Sequence, residues 1–125
     1  MTTILDEDDW RDDLADHAST EAFERAASQF DGSVAFEVGD ETAWFKVYRG
    51  RVIDTEPYVP AFGATFRVVG DRGAWRRVAS GETSLSGAIH VAELRTVGDK
   101  LEANRMREML ELLVRSLQDL EAAHE

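Results

Sequence analysis

One tripeptide, Val-Gly-Asp, occurs three times, at Val38 to Asp40, Val69 to Asp71 and Val97 to Asp99, and each copy ends a run with the pattern of a strand. Glycine relaxes the backbone where a strand must exit, and aspartate accepts hydrogen bonds from the exposed N–H groups of the turn or helix that follows. The chain is thereby divided into strands that stop at fixed places, with a turn or helix after each. A β-rich first half and a helix-closed second half follow, which is an α+β pattern.

The segments between these marks read consistently. From Asp6 to Phe30 the apolar residues Trp10, Leu14, Phe23, Ala26, Ala27 and Phe30 recur at helical spacing, so residues 1–31 form a helical lead that Asp31-Gly32 terminates. Ser19 and Thr20 ahead of Glu21 and Glu24 mark the start of a second helix within it. Val34, Phe36 and Val38 alternate as a half-buried strand, and Gly39 to Thr42 turns the chain into a hairpin partner ending near Tyr48. A short strand at 51–54 precedes Thr55 to Gly63, which reads as a loop because Pro57 and Pro60 lack ladder donors. Thr65 to Gly70 completes a strand meander over 34–70. Helices fill 71–92, with Asp71 as a cap and Trp75, Val78 and Ala79 as a stripe, a last strand covers 93–97, and a long helix runs over 99–120. Met106, Met109, Leu110, Leu113, Leu117 and Leu120 form the stripe of that helix, widened by Leu101, Leu112 and Val114.

At 125 residues the chain suits one domain with a true core. Its charge excludes some partners: 25 acidic against 14 basic residues leave a net charge of −11, which opposes binding to nucleic acid or to an anionic membrane surface. No apolar run reaches the roughly 18 residues of a membrane span, and the first residues lack a signal-peptide pattern, so a cytoplasmic location is expected. Only Lys46 and Lys100 are lysines, and there is no cysteine. Acid-rich, lysine-poor, cysteine-free sequences resemble proteins of salt-loving archaea, where the Debye length falls to about 3 Å and carboxylates keep the surface hydrated without repelling one another.

Catalytic patterns are missing at each place they would be sought. No thiol is available for nucleophilic or metal chemistry. The acidic run from Asp6 has Arg11 and His17 where a calcium loop needs glycine and glutamate, so it reads as a solvated helix face. His17, His90 and His124 share no metal-ligand spacing, although His90 sits among Leu85, Ala88, Ile89 and Val91. No serine lies in a nucleophile elbow, no glycine-rich loop cradles phosphate, and Arg76-Arg77 reads as a surface pair. No enzyme activity, cofactor or metal is expected. What remains is a surplus of large apolar groups, including Phe62 and the flexible methionines 106 and 109, which suit the wall of a cavity.

The stretch Phe66-Arg-Val-Val-Gly-Asp71, followed by Trp75, Ser80-Gly81-Glu82, Leu85, Ala88 and Leu94-Arg-Thr-Val-Gly-Asp99 with Ala103, resembles the sterol carrier protein 2 family over about residues 20–117. That resemblance implies a sheet of about five strands covered by helices and enclosing a hydrophobic tunnel for lipid. It assigns Phe36, Trp44, Phe66, Val68, Trp75, Ile89, Val91, Met106, Met109 and Leu110 to the core and tunnel. The implied ligand is an isoprenoid, a quinone precursor or an acyl chain. The alternative is an accessory module that offers an apolar groove to a biosynthetic enzyme. Two departures stand out. Ala92 occupies a position where the family often has glycine, and the long last helix either plugs the tunnel or forms the seam of a homodimer.

Overall fold

The computed structural model describes residues 3–124. A short 3₁₀ turn at Ile4–Asp6 precedes helices α1 (Trp10–Ala18) and α2 (Glu21–Ala26). Strands β1 (Asp31–Val38), β2 (Glu41–Tyr48), β3 (Arg51–Glu56) and β4 (Phe66–Gly70) follow. Helices α3 (Arg72–Ala79) and α4 (Leu85–His90), strand β5 (Leu94–Gly98) and helices α5 (Lys100–Arg105) and α6 (Arg107–Ala123) complete the order.

The five strands form one mixed sheet in the order β3-β2-β1-β4-β5. Both hairpins use two-residue turns whose twist matches the strands. Gly39 (φ 61°) opens the first, while Arg49 (φ 51°) and Gly50 (φ 81°) make the second. β4 does not extend the meander. It crosses to the free edge of β1 and pairs parallel to it, with Phe66 opposite Val34 and Val68 opposite Phe36. This register aligns four apolar side chains on one face, which is what fixes it. The crossover is pinned where the Thr65 amide donates to the Ser33 carbonyl at 2.9 Å and the Ser33 amide to Thr65 Oγ1 at 3.1 Å.

The three Val-Gly-Asp marks behave as strand stops. β1 ends at Val38, β4 at Gly70 and β5 at Gly98. Asp71 Oδ1 accepts from the Ala74 amide at 2.7 Å and Asp99 Oδ1 from the Glu102 amide at 3.0 Å, so two of the three cap helices. Thr20 caps α2 in the same way, accepting from the Phe23 amide at 3.2 Å.

Several boundaries differ from the sequence reading. Asp31-Gly32 begins β1 instead of closing the helical lead, because Gly32 is where Thr65 and the Phe30 ring crowd the backbone and no Cβ would fit. β3 runs through Glu56, since Pro57 removes the first donor and the two residues before it still pair with β2. The last helix is two helices, broken at Met106 (φ −98°, ψ 24°). The break lets α5 lie against β4 and β5 while α6 crosses α1, α2 and α3. Leu101 is consequently 84% exposed, outside the stripe to which periodicity assigned it.

Candidate functional site

Strand alternation and register divide the sheet into two unlike faces. Val34, Phe36, Val38, Ala43, Phe45, Val47, Phe66 and Val68 point to the helices and are fully buried. Seven of the ten residues proposed from sequence meet on this side, namely Phe36, Phe66, Val68, Trp75, Met106, Met109 and Leu110. Asp71 starts α3 so that Trp75 falls one turn later, over β1. Its ring lies 4.7 Å from that of Phe36, and its Nε1 donates to the Glu37 carbonyl at 2.8 Å. Ile89 joins from α4 as a half-buried neighbour of this core.

The other two lie elsewhere. Trp44 pairs with Ala35, one residue out of step with Phe36, so it points away from the helices to the outer face and is absent from the helix-side cluster. It is nevertheless only 2% exposed, with the Phe62 ring 5.6 Å away at 68° to it. Val91 follows the end of α4 and is 62% exposed, because the turn through Ala92 (φ 63°) carries it outward. The left-handed backbone at Ala92 explains why glycine suits this position.

The helix side carries a surface groove. A groove of about 200 Å³ opens between the start of α4 and α6, with core residues Leu85 and Val114 at its floor. Ser84, Ser86, Glu111, Arg115 and Gln118 form its polar rim, and Gln118 Nε2 donates to the Val78 carbonyl at 3.0 Å. Sequence reading did not select Leu85 and Val114 as site residues. Their signal was an apolar residue just after a capping serine and one at the rim of the α6 stripe, which periodicity alone cannot distinguish from ordinary core. The stripe of α6 is spent within the domain: Met109, Leu110, Leu113, Val114 and Leu117 are buried, whereas Glu108, Glu111, Arg115 and Asp119 are exposed.

Electrostatics shape the entry to the fold and not the interior. Arg72 pairs with Asp6, donates to the Leu5 carbonyl at 2.9 Å and faces Glu41 at 3.6 Å. The hydrogen bond from Arg72, then that from the Thr3 amide, holds the Asp6 carboxyl below its usual range. Asp13 is pushed up, first by burial and then by repulsion from Asp9, Asp16, Asp12 and Glu7. Among the described residues no cluster of histidine, aspartate or glutamate is arranged to hold a metal ion, and no helix is long and apolar enough to cross a membrane. The acidic residues have other partners: Asp12 Oδ1 accepts from Thr55 Oγ1 at 2.6 Å, and Asp119 lies 3.3 Å from His17.

No protein-family model and no curated protein matches this sequence. Solved structures do. A crystal structure of sterol carrier protein 2 superposes with a TM-score of 0.77 and 19% identity, over 88% of this chain and 94% of that one. The fold is that of sterol carrier protein 2. A conserved hypothetical protein from Thermus thermophilus superposes at a TM-score of 0.75 and 18% identity, covering 91% of this chain and 87% of its own. A UbiJ-SCP2 ubiquinone synthesis protein gives a TM-score of 0.57 and 16% identity, over 85% and 87% of the two chains. The expected α+β class, five strands, helical cover and long C-terminal helix of the sterol carrier protein 2 fold are therefore all present.

Proposed function

We propose that this domain is a non-catalytic carrier that shelters an apolar lipid between its sheet and its helices. The ligand class is an isoprenoid, a quinone precursor or an acyl chain. The observation that carries the reading is the coincidence of the sterol carrier protein 2 fold with a continuous apolar wall running from Phe36, Phe66 and Trp75 to Met106, Met109 and Leu110. The groove over Leu85 and Val114 is the entrance in this reading. Unbranched methionine side chains on the α6 side let the wall re-form around chains of different shape. Burial of the α6 stripe favours this helix as a plug that a ligand displaces, over a homodimer seam, because its exposed positions are charged.

Mass spectrometry of an organic extract from protein purified in molar salt tests the proposal. A co-purified lipid, with a rise in melting temperature when that lipid is added back, is the expected result. An empty interior with no thermal shift overturns it. The acidic, lysine-poor composition supports a haloarchaeal, cytoplasmic setting for this carrier. Dialysis into dilute buffer checks that setting: loss of the circular dichroism signal is expected, and an unchanged fold argues against it.

A further inference from the structure

The groove between the start of α4 and α6 has an apolar floor and a polar rim of mixed sign. Leu85 and Val114 on the floor belong to the helix-side core and are 3% and 4% exposed, so the floor is continuous with the interior. At about 200 Å³ the groove is smaller than the roughly 300–1,000 Å³ of pockets that hold a whole ligand. It has room for the polar end of a lipid whose tail lies elsewhere.

Two ionic side chains on this rim are unpaired among the described residues. Glu111 and Arg115 stand one turn apart on α6, in the spacing and order at which a carboxylate and a guanidinium attract each other along a helix. In α2 the same spacing brings Glu21 and Arg25 to 3.9 Å. On α6 the two side chains stay apart, both line the groove, and neither bonds to another described residue. The remaining rim groups are each half used. Ser84 Oγ accepts from the Gly87 amide at 2.9 Å and Ser86 Oγ from Arg107 Nη1 at 3.3 Å, so each hydroxyl keeps its own hydrogen to donate. Gln118 commits Nε2 to the Val78 carbonyl at 3.0 Å, which leaves its Oε1 as an acceptor. The rim thus offers donors at Arg115, Ser84 and Ser86 and acceptors at Glu111 and Gln118.

We propose that this rim reads the end of the bound lipid and selects a neutral hydroxyl over a carboxylate. The inference rests on the carrier reading above and narrows its ligand to an isoprenoid or other apolar chain that ends in an alcohol. A hydroxyl has one hydrogen to give and lone pairs to receive, so Arg115 donates to its oxygen while its hydrogen goes to Glu111. A carboxylate only accepts. It satisfies Arg115, but it sets its charge beside that of Glu111 and leaves the acceptors at 111 and 118 unmatched. A site that hydrogen-bonds a hydroxyl from both sides discriminates strongly, because the wrong group leaves polar atoms without partners. Hydrogen bonds at contact distance persist in molar salt, where the longer-range part of the charge interaction is screened.

Farnesol and farnesoate, which share one carbon chain and differ at its end, are the probes, and equilibrium dialysis against the full chain in molar salt is the measurement. Farnesol is expected to bind about tenfold more tightly, as one matched hydrogen bond to a charged group implies. Glu111 and Arg115 are both exposed, so changing either removes no core contact. Glu111→Gln keeps an acceptor and removes the charge, so farnesoate is expected to gain severalfold while farnesol is unchanged. Arg115→Gln is expected to weaken both, and farnesoate the more. Farnesoate binding as tightly as farnesol to the unaltered chain overturns the headgroup inference and leaves the carrier reading standing. An unchanged preference in Glu111→Gln overturns it in the same way. If neither probe binds, the carrier reading fails and the headgroup inference falls with it.

Discussion

The two faces of the sheet each bury a tryptophan, and they do so in opposite ways. On the helix side, Trp75 is enclosed by core residues, its ring tilted against that of Phe36, and its single polar atom is bonded to the Glu37 carbonyl. On the outer side, Trp44 is buried almost as deeply, with the Phe62 ring edge-on to it, and its polar atom finds no acceptor among the described residues. Equal burial thus conceals unequal stabilisation. A satisfied donor in a close-packed wall supports the fold, whereas a buried donor without an acceptor costs stability.

The contrast is open to test by mutation, with stability read from denaturant unfolding in molar salt. The largest effect is expected from Phe36→Ala, which removes a ring at the centre of the helix side and should cost about 3–5 kcal/mol. A loss under about 1 kcal/mol would mean that this face is loosely packed. The matched pair Trp75→Phe and Trp44→Phe sharpens the comparison. The first removes the indole donor to the Glu37 carbonyl and should cost about 1–3 kcal/mol, while the second removes a donor with no acceptor among the described residues and should cost about 1 kcal/mol or less. Equal costs would show that the indole hydrogen bond of Trp75 contributes nothing.

Smaller effects lie at the margins of the two faces. Ala92→Gly relieves a left-handed alanine in the turn that carries Val91 away from the core. After the entropy that glycine adds to the unfolded chain, a net stabilisation of about 0.5–1 kcal/mol is expected. The smallest and most salt-sensitive change concerns Asp13. Its carboxyl titrates higher in the folded state than in the unfolded one, so it destabilises the fold at neutral pH, and that penalty fades as pH falls through the raised value. Asp13→Asn should therefore raise Tm by about 1–2 °C at the lowest salt in which the fold persists and by less in molar salt, where the repulsion is screened and only the burial cost remains. Asp6 has the opposite sign. Its lowered pKa gives stability that is present above its unfolded value of 3.8 and is lost as pH falls through the folded one.

Much of the fold was legible because its stops are chemical. Asp71, Asp99 and Thr20 cap the helices they precede, and Gly39 turns the first hairpin as a short-range pattern predicts. The helix-side wall was legible for a related reason, since alternation in β1 and β4 and the 3.6-residue period of α3 and α6 each point one face inward. Trp44 was placed with that wall because size and hydrophobicity do not reveal which face a residue takes. Its register against Ala35 does. The break at Met106 was equally hidden, for residues 99–120 hold a helical period throughout and only the need to lie on both the sheet and the helix layer divides them.

By itself, then, the sequence determined the local events: where strands stop, which helices are capped, and that the chain is acidic and holds no cysteine. Those features depend on interactions within a few residues. The tertiary structure alone decided that β4 crosses to pair with β1, that the apolar residues divide between an enclosed wall on the helix side and Trp44 on the outer face, and that the last helix is broken at Met106. Each of these depends on which distant segments compete for the same apolar surface and backbone donors, a contest that local pattern does not record.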